Sequence, residues 1–344
     1  MLKTELTLNY NNTENKMIYF FLIILNFCIL FFYSSIKEKI NIYDHPSENK
    51  IHDKKVPLLG GLIFLVNITI YLVYLTFFKN DLSLKIFGFT SSINYLVFIF
   101  SLIFLFFLGL IDDKKNISAS ARLILLVLII SINLSLNAEL NISYIKLSFY
   151  NNFSIENFSF FWTLICFLLF INAFNFFDGI NLQSSGLIFV ICLFFFIKGI
   201  FVEFFIVILI ANIFFSYLNY NSKTFLGNSG SFFLPFLFGA LFISAYNNNI
   251  KINADEIVIL MLIPGIDLMR LFFLRILKKT SPFKGDKNHI HHYLIKKYSP
   301  LIAVAIIQIL IWLPFLILQI FGIFYISLII QLSAYILLII KYKN

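Results

Sequence analysis

Charged side chains are scarce in this chain: Asp, Glu, Lys and Arg together make up 12% of its 344 residues, against 60% hydrophobic. A soluble domain carries about 25% charged and roughly 45–50% apolar residues, so a water-soluble core is excluded. Cysteine is nearly absent. Cys28, Cys166 and Cys192 each lie inside an apolar run, which rules out a disulfide framework and, for want of metal spacing, a zinc site. Internal repeats, low-complexity linkers and a boundary to a second domain are missing as well, so residues 1–344 read as one integral membrane domain. No cleavable leader is expected, because the first apolar run follows a polar stretch of sixteen residues and is long enough to be a span. Arg is rare while Phe (46), Ile, Leu and Asn are heavily used, a bias that reads as the drift of an AT-rich genome.

What is present is a series of long apolar runs. About 20 such residues cross the roughly 30 Å hydrocarbon layer as a helix, and only helices or closed barrels satisfy their backbone there. Eleven runs are found, at 17–34, 58–78, 93–111, 119–136, 158–175, 182–198, 201–218, 230–246, 255–277, 301–320 and 322–340. The expected fold is therefore all-α, a polytopic transmembrane helical bundle of about eleven spans. The net charge of +9 does not point to nucleic acid, because the basic residues fall between apolar runs. Eleven spans sort the connecting segments into two sets, and nineteen of the 26 lysines and arginines fall in one of them. The positive-inside rule makes that set cytoplasmic, with the N-terminus outside and the C-terminus inside.

The same sorting gathers other polar residues that the orientation rule does not govern. All five histidines fall on the basic side, and so do Asp112, Asp113, Asp178 and Asp267, each at or within the cytoplasmic end of a span. A carboxylate at a helix centre costs about 2.5–3.5 kcal/mol on insertion scales, so four near one surface point to a shared polar cleft. Taken singly, each also reads as a marker of a helix end.

Five blocks carry the candidate chemistry. The first loop runs Asp44-His45-Pro46-Ser47-Glu48-Asn49-Lys50-Ile51-His52 and leads to Gly60-Gly61, where backbone can approach a ligand or another helix. Lys50 and His52 suit a nucleotide phosphate or base, although the loop taken alone reads first as a solvated charged one. Asp112-Asp113 closes the third span. Adjacent carboxylates raise each other's pKa, which prepares one to accept a proton or both to hold a divalent cation; a topological stop with Lys114 and Lys115 as counter-ions is the plainer reading. Asn172, Asn175 and Asp178 recur every three residues and would line one helix stripe, with Gly179 ending the helix. Phe225-Leu226-Gly227-Asn228-Ser229-Gly230-Ser231 has the glycines of a phosphate-cradling turn at a helix N-terminus, and of ordinary turns too. The last loop ends in His289-Ile290-His291-His292, able to bind pyrophosphate, move protons or bind a metal. On the ninth span, Asp267 and Arg270 are spaced to pair within their helix.

In this order and on one membrane side, the blocks resemble those of the bacterial polyprenyl-phosphate N-acetylhexosamine-1-phosphate transferases. The likeness runs from about Asp44 to His292, and the His-Ile-His-His form is closer to the N-acetylglucosamine-phosphate branch than to the peptidoglycan branch. The resemblance implies a bacterial inner-membrane enzyme with a cytoplasmic active site. Its partners are a UDP-N-acetylhexosamine and a polyprenyl phosphate such as undecaprenyl phosphate, its product is lipid-pyrophosphate-sugar with release of UMP, and a homodimer is compatible with it. Mg²⁺ is the implied cofactor, with Mn²⁺ as a substitute. Asp112 matches the position that deprotonates or orients the lipid phosphate, with Asp113 its neighbour; Asp178 matches a magnesium ligand and Asn175 a polar support. Lys50 matches a nucleotide contact, Phe225 the aromatic that stacks on uracil and Asn181 a base contact. His289, His291 and His292 match residues near the sugar phosphate.

The chain departs from that pattern in three places. Asn228 stands where the family places Asp as a second magnesium ligand, and a neutral carbonyl oxygen compensates less charge. Asn181 replaces a commonly acidic residue, and Leu182-Gln183-Ser184 replaces the usual Gly-Leu ending. Two other classes stay open beside the enzyme: a transporter or channel, which should carry titratable residues through the depth of the membrane, and a catalytically impaired scaffold.

Overall fold

The computed structural model describes residues 13–46, 53–78, 87–248, 252–281 and 287–342. The apolar runs fold as helices. They are α1 (Thr13–Phe31), the short α2 (Tyr33–Ile40), α3 (Gly60–Phe78), α4 (Ser92–Lys115), α5 (Ala119–Leu136), α6 (Ser159–Phe177), α7 (Gln183–Lys198) and α8 (Val202–Tyr220). The series continues through α9 (Gly227–Asn247), α10 (Ala254–Leu277), the short α11 (Ile290–Ile295), α12 (Pro300–Phe321) and α13 (Phe324–Tyr342). Two small antiparallel pairs interrupt the all-helical plan: β1 (Tyr43–Asp44) with β2 (Val56–Pro57), and β3 (Tyr144–Leu147) with β4 (Tyr150–Ser154). Among the described residues, nine helices are long and apolar enough to cross a membrane, and a tenth crossing results if α1 and α2 count as one span bent by 70°. With sixteen residues, α7 reaches about 24 Å, short of the roughly 30 Å hydrocarbon thickness.

The bundle is built around α9, the most deeply buried of these helices, which packs against α4, α6 and α3. Phenylalanine fills the space around it. Phe236 of α9 lies between Phe98 of α4 (5.6 Å) and Phe167 of α6 (5.1 Å), and Phe242 meets Phe194 and Phe195 of α7. Aromatic pairs add to area burial when rings are offset or edge-on. The Phe excess, expected as drift alone, therefore does packing work in the core.

The helix ends sort into two groups. At one end, the close of α4 meets the start of α9 through Asp113, the close of α6 reaches α9 through Asn175, and the start of α2 meets the segment after α8 through a 2.7 Å bond from the Tyr33 hydroxyl to the Lys223 carbonyl. At the other end, the β3–β4 hairpin is clamped to α9 and α10: the Tyr246 hydroxyl donates to the Tyr144 carbonyl, and Ser148 donates through N–H and hydroxyl to Asp255. There too a partly buried Lys198–Glu256 pair (2.5 Å) joins α7 to α10, with Gln319 of α12 donating to Glu256. The helices thus alternate in direction between two polar rims, as short connections between neighbouring helices require.

Candidate active site

The first rim is assembled on a backbone zipper between the entries of α3 and α9. Phe225 N–H donates to the Pro57 carbonyl (3.0 Å), and Gly60 and Gly61 N–H donate to the carbonyls of Phe225 and Leu226 (both 2.9 Å). The Thr224 hydroxyl ties the two strands further, donating to Pro57 and accepting from Leu59 N–H. The approach leaves no space for a side chain: a Cβ on Gly60 would lie 2.7 Å from the Leu226 Cα, and one on Gly61 would collide with the backbone of Gly230. Of the two close approaches that Gly60-Gly61 allows, the protein uses helix against helix.

Asp113 occupies the N-terminus of α9. Its Oδ1 accepts from Asn228 N–H (2.9 Å) and its Oδ2 from Ser229 N–H (3.2 Å). Gly227 makes the turn with φ +76°, and a Cβ there would stand 2.7 Å from the Asp113 carboxylate. The expected phosphate cradle is therefore present as a turn, but a carboxylate of the protein already satisfies its N–H groups, since the positive end of a helix attracts any nearby anion.

Asp112 is buried, and both of its oxygens are engaged. Oδ1 accepts from Ile117 N–H (2.8 Å), and Oδ2 accepts from Arg122 (3.1 Å) and from the Asn228 side-chain amide (3.0 Å). Its counter-ion is Arg122 on α5, whereas Lys114 and Lys115 are exposed. Asn228 in turn accepts from the Asn175 amide (2.8 Å), which also donates to the Ser231 hydroxyl (2.6 Å). One chain of polar contacts thus runs Arg122, Asp112, Asn228, Asn175, Ser231.

The expected stripe on α6 is only partly realised. Asn172 bonds back to the Leu168 carbonyl of its own helix (2.7 Å) and does not join the network. The helix ends one residue before Gly179, at an Asp178 cap. Asp178 is partly buried; burial pushes its carboxyl up to about 6, the facing Ser184 hydroxyl pulls it down, and the Asp44 charge raises it further. Gly179 lies directly beneath the His291 ring, where a Cβ would collide. Burial, then the neighbouring His292 and His289, hold His291 well below the ordinary imidazole value, so its ring is neutral near pH 7.

His289 is buried and stands parallel to His291, with ring centroids 5.4 Å apart and planes 2° apart; His291 and His292 are 4.3 Å apart. Asn181 donates to the Ser222 hydroxyl (2.7 Å), and Phe225 is partly exposed beside the zipper. Lys50 and His52 lie outside the described residues. Two residues were not singled out as site members from sequence: Arg122, and Asp267 as a partner of His289 at 2.8 Å. A carboxylate within an apolar run places Asp267 with the other three at the shared cleft, but its spacing points to Arg270 and not to His289.

Among the described residues, no three His, Cys, Asp or Glu side chains group as a ready-made metal site. The donors at the rim are nonetheless hard oxygens. Magnesium commonly takes one or two carboxylates and completes its shell with water and substrate phosphates, so Asp178 and the Asn228 carbonyl fit it in kind.

Comparisons with known proteins converge on this rim. The sequence profile of glycosyl transferase family 4 matches residues 95–246, which include Asp112, Asp113, Asn175, Asp178, Asn181, Phe225 and Asn228. A probable undecaprenyl-phosphate N-acetylglucosaminyl 1-phosphate transferase of Bacillus subtilis (strain 168) is 26% identical over 271 residues, covering 75% of this chain and 70% of the relative. Undecaprenyl-phosphate alpha-N-acetylglucosaminyl 1-phosphate transferases of Escherichia coli (strain K12) and Yersinia pestis are each 25% identical, over 78% and 84% of this chain and 72% and 78% of their own lengths. The chain is thus similar to glycosyl transferase family 4 across the carboxylate and amide network, and to these transferases over three quarters or more of its length.

Proposed function

We propose that the protein transfers an N-acetylhexosamine 1-phosphate from a UDP-sugar to a polyprenyl phosphate, releasing UMP, as a first membrane step of cell-surface glycan synthesis. The observation that carries this reading is the meeting of Asp112, Asp113, Asn228 and Asn175 at one rim of the bundle, within the family match and beside Asp178 and the stacked histidines. A rim between polar solution and apolar helices is where a soluble nucleotide sugar and a lipid phosphate can meet. In the bacterial inner membrane, with eleven crossings and the basic rim inward, that site faces the cytoplasm, where nucleotide sugars are made.

The chemistry asks two anions to approach. Asp112, paired with Arg122, orients the lipid phosphate or takes its proton; Asp113 holds the start of α9 and so fixes Asn228 against Asp112. Asp178 and Asn228 would hold Mg²⁺, or Mn²⁺ in its place, and the ion would supply the positive charge that stabilises the transferring phosphate. Neutral His291 and its neighbours His289 and His292 supply donors and acceptors to the sugar phosphate, while Phe225 and Asn181 face the base, with Lys50 and His52 on the first loop as further cationic contacts.

The test incubates membranes containing the protein with UDP-N-acetylhexosamines labelled in the sugar, undecaprenyl phosphate and Mg²⁺. Label entering the lipid phase with equimolar UMP supports the proposal. UDP release, or no lipid label with any donor, would refute it.

A further inference from the structure

Asp267 sits ten residues before the end of α10, about 15 Å along its axis, and is 4% exposed. Four donors converge on its two oxygens. The Tyr335 hydroxyl (2.7 Å) and Arg270 Nη2 (2.8 Å) reach Oδ1, His289 Nδ1 (2.8 Å) reaches Oδ2, and Ile290 N–H, at the first residue of α11, lies 3.3 and 3.4 Å from the two. Arg270 also donates from Nε to the Tyr335 oxygen (2.8 Å) and from Nη2 to the Asn288 carbonyl (2.6 Å). One carboxylate thereby ties α10, the entry to α11 and α13 together.

Stability alone is a weak reason for such an arrangement, because buried ion pairs replaced by apolar residues of similar volume often leave stability unchanged or raise it. What the arrangement does specify is a histidine. A carboxylate only accepts, so the proton of a neutral His289 ring must lie on Nδ1, and Nε2 is left as the nitrogen available to substrate. Rotation of the ring is restricted by two stacked neighbours, His291 and Phe176 (5.6 Å, 20°). The bond to Ile290 N–H sets where α11 begins, and hence where His291 rests on Gly179.

We propose that Asp267 is a positioning residue for the transfer reaction, holding His289 as the Nδ1–H tautomer and seating α11, with Tyr335 and Arg270 bracing it. The inference rests on the transferase reading, and its test separates the two.

Protein labelled with [15N]histidine, in micelles at a pH above about 8 where ordinary imidazoles are neutral, is read by NMR, with His289→Gln used for assignment. His289 is expected as the Nδ1–H tautomer. In Asp267→Asn the amide donates, and the ring is expected to switch to Nε2–H. That variant should lose about 100-fold or more in kcat, as a histidine in the wrong tautomer does, with KM for the UDP-sugar within about threefold. Tyr335→Phe removes one brace and should keep the tautomer while lowering kcat about three- to tenfold. An Nε2–H His289 in the parent overturns the proposal, and this reading does not depend on Asp267→Asn folding. So does an Asp267→Asn protein with unchanged tautomer and kcat. Because the tautomer is read without substrate, a parent that transfers no sugar phosphate overturns the transferase reading, while the NMR result still decides the His289 geometry.

Discussion

Asn228 donates its side-chain amide to the Asp112 carboxylate across 3.0 Å. An aspartate at 228 would bring two carboxylates into contact there, with Asp113 adjacent, and like charges that close oppose ionising together. Asn228→Asp is therefore expected to melt at a lower temperature than the parent in chelator, to recover when Mg²⁺ is added, and to reach half-maximal turnover at lower Mg²⁺. Thermal melts and initial rates across a Mg²⁺ titration check this; an unchanged Mg²⁺ requirement would remove residue 228 from the metal site.

Asp112 has Arg122 as its charge partner, and among the described residues no cation pairs with Asp178. Asp112→Asn and Asp178→Asn should each abolish transfer while the protein still inserts into membranes, since the amides keep the size of the side chain. Arg122→Gln should fall between them and the parent, losing about tenfold in kcat as the Asp112 carboxylate loses its cation. Labelled-sugar transfer normalised to the amount of inserted protein measures all three. Parent-like turnover in either Asn variant would take that carboxylate out of the mechanism.

Glycines at the rim should respond according to what faces them. Gly61→Ala forces a methyl into the Gly230 backbone and should cost about 1–3 kcal/mol or more, visible as a lowered melting temperature. Gly179→Ala meets the His291 ring, a side chain that can move, so its effect should be larger on turnover than on melting. Gly265→Ala meets nothing within 4 Å and should be neutral or stabilising by up to about 1 kcal/mol.

Two groups at the rim give opposite pH dependences. His291 titrates well below 6.5 in the fold, so its contribution to stability is present above that unfolded value and is lost as pH falls beneath it. Asp178 is raised from 3.8 to about 6, so its contribution is present at low pH and is lost as pH rises through about 6. In Mg²⁺-free buffer, His291→Gln should flatten the fall in melting temperature between about pH 6.5 and pH 5, and Asp178→Asn should remove a gain between about pH 6 and pH 4. Melts of the parent and both variants across this range test the signs.

The helices were legible because apolar runs of that length leave the backbone no other way to satisfy itself in lipid. Each of the eleven runs overlaps a helix, and even the boundary at Lys198-Gly199-Ile200 is a break between α7 and α8. The bend after Phe31 was not legible, because the apolar run continues through it to Tyr33. The three-residue spacing would line Asn172, Asn175 and Asp178 along one stripe of α6, yet the helix ends at an Asp178 cap and Asn172 found a carbonyl in its own helix. A side-chain amide inside a span takes the nearest acceptor, and spacing does not say which one that is.

Residue order and polarity were enough to establish a membrane bundle, a basic rim and the five blocks that mark the family, since hydrocarbon thickness and the cost of stranded charge act on each segment separately. The pairings at the rim required the folded chain: Asp113 on the amides of α9, Arg122 on Asp112, and Asp267 on His289. Asp113 and Asp112 meet partners on other spans and Asp267 meets the entry to α11, and all three depend on where helix packing turns each side chain, which no single segment encodes.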